Sequence, residues 1–214
     1  MSIRRQVCKY NKMLPTLQLV TWTSGNISIA DEKNLYIKPS GILFEDLTHK
    51  DISVVEIKTG NHLQGRKPST DTESHRIVYK HKPHVKSIVH THSTYATAFA
   101  ACGKDIPVLL TAAADEFGQA IKCSDYAEIG GKEIGHEICK YMEPTGVVLL
   151  RNHGVFTTAK TVEEALKKAV MVEDVAKTTY HAHMLKTPIE LTLEQIRNCY
   201  ERYQNTYGQN NSNR

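Results

Sequence analysis

Ile88-Val89-His90-Thr91-His92 ends a short apolar run in two histidines two positions apart. A strand exposes alternate side chains on one face, so both imidazoles can aim at one metal ion while Thr91 points the other way. Neutral imidazole is the commonest protein ligand for zinc and its neighbours. Alone, such a pair at a strand edge is more often solvated or hydrogen-bonded than metallated. A third candidate ligand, His153, comes from Val147-Val148-Leu149-Leu150-Arg151-Asn152-His153-Gly154, a β-branched run that reads as a buried strand leading into a turn. Three histidines on adjacent strand ends form one face of a tetrahedral or five-coordinate site and leave positions open, the arrangement of a catalytic metal. The other eight of the 11 histidines lie mostly in polar, turn-like or amphipathic helical stretches and read as surface or structural groups.

The 214 residues suffice for one sizeable core, and no Pro/Gly/Ser-rich linker divides them. Residues 1–204 therefore read as a single domain, with a polar tail at 205–214. The five cysteines are scattered and never form a Cys-x-x-Cys pair, which argues against a disulfide framework or a thiolate zinc site and fits a reducing, cytoplasmic setting. No apolar stretch approaches a membrane span, and residues 1–10, although basic, lack the apolar core of a signal peptide. The net charge of +4 is spread among mixed signs, so nucleic acid and membrane are not expected partners, whereas an anionic small substrate is tolerated.

Residues 21–57 alternate short β-type runs with turns carrying Gly25-Asn26, Pro39-Ser40-Gly41 and Asp51, the pattern of an antiparallel meander. Thr70 with Glu73 forms a capping-box pattern opening a helix to about Lys80. Thr161 with Glu164 opens a longer helix to about Leu185, and Thr192 with Gln195 a last one to about Tyr203. In the long helix Val162, Ala165, Leu166, Ala169, Val172 and Ala176 follow the helical period, so one face packs on the sheet. The helices fall between groups of strands rather than after each strand, which favours a mixed or antiparallel sheet covered by helices.

Three turns share small, hydroxylated or amide residues: Thr23-Ser24-Gly25-Asn26, Lys38-Pro39-Ser40-Gly41 and Pro68-Ser69-Thr70-Asp71. Backbone N–H groups at such turns bind phosphate oxygens, hydroxyls such as that of Ser40 add donors, and Lys38 adds positive charge. Each alone is an ordinary turn. With three convergent histidines they suggest a site for a phosphorylated substrate on a metal.

Ser24-Gly25-Asn26-Ile27-Ser28, Lys38-Pro39-Ser40-Gly41, Lys67-Pro68-Ser69-Thr70-Asp71-Thr72, Val89-His90-Thr91-His92-Ser93 and Asn152-His153-Gly154 resemble, in order and spacing, the motifs of the class II aldolase/adducin family. The likeness covers about residues 16–186. It implies an α/β fold of three layers, α/β/α, around a mixed, largely antiparallel sheet, and a fourfold-symmetric homotetramer with its active site between subunits. The family's metal ligands fall on His90, His92 and His153, with Asp71 as a fourth ligand or neighbour; the implied cofactor is a divalent metal, zinc first, with manganese or cobalt also accepted by such a site. Its phosphate contacts fall on Asn26, Gly41, Ser69 and Thr70, and its motif lysine on Lys38.

Asp71, Ala114-Asp115-Glu116-Phe117 and Tyr207-Gly208-Gln209 are most similar to the branch that epimerises a phosphorylated ketopentose, L-ribulose 5-phosphate, at C4 to give D-xylulose 5-phosphate. The fuculose-phosphate aldolase branch has a glutamate where this chain has Asp71. The epimerase acid/base pair falls on Asp115 and, from a neighbouring subunit, Tyr207. By local chemistry alone, Asp71 is equally an acid stabilised at a helix N-terminus, and Asp115 a turn residue. The chain departs from that branch at Ala113 and near Ile196, where histidines are usual, and both changes bear on sugar preference. An aldolase of the same family, which acts on a sugar phosphate such as L-fuculose 1-phosphate and releases its fragments, is the alternative activity. An adducin-like scaffold without metal is disfavoured because all three histidines are present.

Overall fold

The computed structural model describes residues 1–206. In chain order the elements are α1 (Ile3–Thr16), β1 (Asn26–Ala30), β2 (Asn34–Ile37), β3 (Ser53–Glu56), β4 (His62–Gln64), α2 (Thr72–His81), β5 (Ser87–Thr91), α3 (Thr94–Ala101), α4 (Thr111–Phe117), β6 (Lys122–Cys123), α5 (Glu133–Tyr141), β7 (Val147–Leu150), β8 (Gly154–Ala159), α6 (Val162–Leu185) and α7 (Leu193–Thr206). The strands form one sheet in the order β4-β3-β2-β1-β5-β8-β7-β6. Every pairing is antiparallel except β6 with β7, so the sheet is mixed and largely antiparallel as expected.

Strand alternation divides the core. Ile88 and Phe156 face a cluster that includes Val78 of α2 and Ile134 and Ile138 of α5. Val89, one residue on, faces the opposite cluster with Ile27, Leu14 of α1 and Ala165 and Ala169 of α6. A further cluster packs α3, α4, α6 and α7 over Val147, Leu149 and Val155. Helices on both faces of one sheet make the three layers. Among the described residues no helix is long and apolar enough to cross a membrane.

The expected meander at 21–57 is present as β1, β2 and β3, and α6 spans the expected range with Thr161 accepting from the Glu164 backbone N–H at 3.2 Å. At α7 the capping box is reciprocal: Thr192 N–H donates to Gln195 Oε1 at 2.9 Å and Gln195 N–H to Thr192 Oγ1 at 3.2 Å. The capping box expected at Thr70 does not form. Here α2 begins at Thr72, because Glu73 makes a two-pronged ion pair with Arg76 at 2.6 and 2.7 Å rather than reaching back.

Four of the helices, α1, α3, α4 and α5, carry no signal used in the sequence analysis, and two of them steady the strands of the site. Buried Val7, Tyr10, Asn11 and Leu14 give α1 an inward stripe at helical spacing. Asn11 fastens the start of β1: its Nδ2 donates to the Ile27 carbonyl at 3.1 Å and its Oδ1 accepts from the Ile27 N–H at 2.9 Å. Directly after His92, α3 lacks a side-chain cap of its own, and Glu173 of α6 accepts from Tyr95 N–H and Ala96 N–H, each at 2.9 Å. Bonds to an ionised acceptor contribute about 1.5–3 kcal/mol each. They hold the chain rigidly where it leaves the histidine pair.

Candidate metal centre and anion cradle

His90 lies on the central strand β5, paired with Asn26 on β1 and Phe156 on β8. It is buried, and its ring stacks on Phe156 with centroids 4.2 Å apart. Its Nδ1 donates to the Val155 carbonyl at 3.0 Å, which leaves the Nε2 lone pair facing outward. His92, on the same side of the strand, places Nε2 3.0 Å from His90 Nε2. His153 arrives from the turn between β7 and β8, where Asn152 adopts a left-handed φ of 59°. A Cβ at the next residue, Gly154, would meet the Thr91 carbonyl at 2.6 Å and the His90 and His92 rings at 3.3 and 3.4 Å, so the close approach of this turn requires glycine.

The three histidines offer ligand atoms all within 4.8 Å of one another. Burial pushes all three imidazoles down, His90 to about 3, while the Asp71 carboxylate opposes the shift. They are therefore neutral near pH 7, the form that ligates a cation. The buried His153 Nδ1 has no hydrogen-bond partner among the described residues. An orphaned ring nitrogen beside two others 3.0 Å apart, with one tautomer fixed by a carbonyl, fits a divalent metal with imidazole preference.

Asp71 faces the same cavity and its Oδ2 accepts from Asn26 Nδ2 at 2.7 Å. Burial alone would raise its pKa; His90, His75 and the Asn26 hydrogen bond outweigh it and hold the carboxyl below the usual carboxylate range. Asp71 is thus an anionic neighbour of the three histidines.

All of Asn26, Lys38, Ser40, Gly41, Ser69 and Thr70 line this one cavity of about 270 Å³ with the histidines and Asp71. A bridge between Pro39 and Pro68 draws the second and third turns together, and Asn26 Nδ2 reaches Ser69 Oγ at 3.3 Å. Lys38 is only 2 % exposed; its Nζ donates to the Thr23 carbonyl at 3.1 Å and lies 4.5 Å from the Phe44 ring centroid. Burial lowers its pKa to about 8, against the pull of Asp71.

Asp115 does not line the cavity. It lies on α4, where Arg202 of α7 donates to both carboxylate oxygens at 3.0 and 3.1 Å. Tyr207 lies outside the described residues, directly after α7. Ala113 and Ile196, the two departures from the epimerase pattern, are buried in the same apolar cluster between α4 and α7. Two histidines there would need polar partners that this cluster does not provide.

Two features of the site escaped the sequence reading. His75 of α2 is fully buried, and its Nδ1 is 2.7 Å from Ser28 Oγ, which is also 2.6 Å from Tyr79 OH. Burial pushes this imidazole down to about 4, against Asp71. The four-residue spacing of His75 and Tyr79 was the available signal. Ile129, from the segment between β6 and α5, also lines the cavity, and no local pattern marks it.

The chain matches the family described as Class II Aldolase and Adducin N-terminal domain over residues 5–180. It is 36 % identical over 201 residues to a Mycoplasma pneumoniae protein named probable L-ribulose-5-phosphate 4-epimerase, covering 86 % of this chain and 83 % of that one. A solved L-fuculose 1-phosphate aldolase superposes with a TM-score of 0.88 at 32 % identity, covering 94 % of this chain and 96 % of that one. The L-fuculose-1-phosphate aldolase of Thermus thermophilus shares the fold, with a TM-score of 0.73 at 21 % identity over 86 % of this chain and 97 % of that one.

Proposed function

The chain belongs to the class II aldolase and adducin family, and from that premise we propose that it is a metal-dependent epimerase interconverting L-ribulose 5-phosphate and D-xylulose 5-phosphate. The observation that carries this reading is a single cavity in which three neutral imidazoles converge beside a cradle of hydroxyl, amide and lysine donors. One end suits the oxygens of a ketose, the other its phosphate. The 36 % identical relative named as a probable epimerase supports this branch, as does an aspartate at position 71.

C4 of a ketopentose phosphate is not adjacent to the C2 carbonyl, so its proton is not acidic enough for simple removal. Breaking the C3–C4 bond, turning the two-carbon aldehyde to its other face and re-forming the bond inverts C4 without that obstacle. A divalent ion held by His90, His92 and His153, zinc by the nature of the donors, supplies Lewis-acid stabilisation of developing oxyanion charge when bound. Asn26, Ser40, Gly41, Ser69, Thr70 and Lys38 hold the phosphate while the aldehyde turns. Asp71 keeps Asn26 oriented and places negative charge beside the histidines.

Asp115 and Tyr207 take the C4 hydroxyl proton and return it on the opposite face. Asp115 stands apart from its own chain's histidines, so the proposal includes a homotetramer in which residues 205–214 complete a neighbour's site. Incubation of metal-loaded protein with L-ribulose 5-phosphate is expected to yield D-xylulose 5-phosphate; absence of that product overturns the reading. Accumulation of dihydroxyacetone and glycolaldehyde phosphate instead would favour an aldolase, the reading that the 32 % identical L-fuculose 1-phosphate aldolase supports.

Lys38 acts on binding rather than on the reacting bond. Its cation dominates below about pH 8, so the hold on phosphate weakens as pH rises through that value. Lys38→Met is expected to raise KM roughly tenfold or more near pH 7, the scale of one charge-assisted contact, with little change in kcat. The rise of KM above pH 8 in the parent protein should be absent from the variant. An unchanged KM would remove Lys38 from the cradle.

A further inference from the structure

Apart from Pro39 and glycines, Ile129 is the only apolar residue among the described residues that line the cavity. It remains 66 % exposed, which places it at the mouth rather than in the wall. An isoleucine there gains little from the protein's own core; apolar burial becomes available only when something occupies the cavity.

The segment carrying it is built with a fixed base and a free tip. At the base, Ser124 N–H donates to the Leu149 carbonyl at 2.8 Å, and the Asp125 carboxylate is held by Lys140 at 3.0 Å and Tyr141 OH at 2.9 Å. Asp125 N–H also donates to Glu137 Oε2 at 3.1 Å. Beyond that anchor, Ala127 packs against the cluster that includes Ile134 and Ile138, and residues 128–131 make a tight turn at Ile129-Gly130 with no side-chain hydrogen bond to any described residue. Gly130 has a φ of 92°, and no atom lies within 4 Å of where its Cβ would stand. Such a tip changes shape at low cost.

We propose that Ile129 is a specificity-determining residue, which closes over the bound sugar phosphate and decides whether the cleaved halves recombine or leave. This rests on the epimerase reading above. When the C3–C4 bond breaks, its electron pair stays with the three-carbon half and the C4 hydroxyl gives up its proton, leaving glycolaldehyde phosphate. Recombination returns the pair to C4. If water protonates C3 first, dihydroxyacetone and glycolaldehyde phosphate leave, and their atoms together equal those of the pentulose phosphate. An apolar cover over the mouth slows both water entry and fragment exit.

The test measures glycolaldehyde phosphate released per D-xylulose 5-phosphate formed, in the metal-loaded protein. Ile129→Ser is expected to raise that ratio about tenfold, the scale of one hydrophobic contact in discrimination, whereas Ile129→Leu restores the parent value. An unchanged ratio in the serine variant overturns the proposal. Hydrogen exchange with 2-phosphoglycolate, a non-reacting two-carbon phosphate, is expected to slow at residues 126–131 of the parent protein, and unaltered exchange overturns closure. A protein that forms no D-xylulose 5-phosphate brings down the functional reading, and the exchange result then decides the closure separately.

Discussion

His92→Ala is expected to lower metal content from about one ion per chain to background and to abolish turnover, while the circular dichroism spectrum stays that of the parent. The ligand set has three neutral imidazoles and no excess, so losing one removes most of the affinity. The fold should survive because His92 follows the end of β5, belongs to none of the apolar clusters, and precedes a helix whose start is held independently by Glu173. His153→Ala should behave alike, since its turn is bounded by two paired strands. His90 is a poorer choice for this test. It is buried against Phe156 and bonded to Val155, so its loss mixes ligand removal with a core cavity. Stoichiometric metal and normal turnover in His92→Ala would remove the histidines from the proposed role.

Tyr207→Phe is expected to lower kcat by roughly 10²-fold or more with metal content unchanged, the scale for a positioned acid/base group. The residue follows α7, which packs against α4 and its Asp115 and is tied to it by Arg202. This pair holds the described part of α7 beside Asp115, the other acid/base candidate. If the tail completes a neighbour's site, reassembly of Tyr207→Phe subunits with His92→Ala subunits should recover part of the activity, because a mixed interface brings an intact metal site together with an intact tyrosine. Efficient mixing with no recovery would assign Tyr207 to its own chain's site or to no catalytic role.

Ile196 and Ala113 explain why the acid/base region was harder to read than the metal centre. Their departure from the epimerase pattern looked like a loss of polar groups. In the fold they are adjacent parts of one apolar cluster, and the charge near Asp115 comes instead from Arg202, a residue on an otherwise exposed helix. The helix start at Thr70 failed for a related reason. A capping box is read as a local exchange between two side chains, but Glu73 had a better partner in Arg76, and Asp71 had one in Asn26 from β1.

What the sequence determined by itself was local geometry and donor chemistry. A period of two puts His90 and His92 on one face whatever surrounds them, Thr161 and Thr192 cap helices through atoms three residues away, and three turns carry the small polar residues that bind an anion. Only the tertiary structure decided which remote groups meet them. The strand order β1-β5-β8 carries Asn26 and the β8 turn to either side of His90, so His153 becomes the third ligand candidate and Val155 fixes the direction of the His90 lone pair. Asp115 is drawn away to Arg202, and Ile129 is brought to the cavity mouth by a loop with no periodicity of its own. Side-chain direction within one element follows from backbone dihedrals a few residues long, whereas distances between elements follow from how the whole sheet is paired and packed.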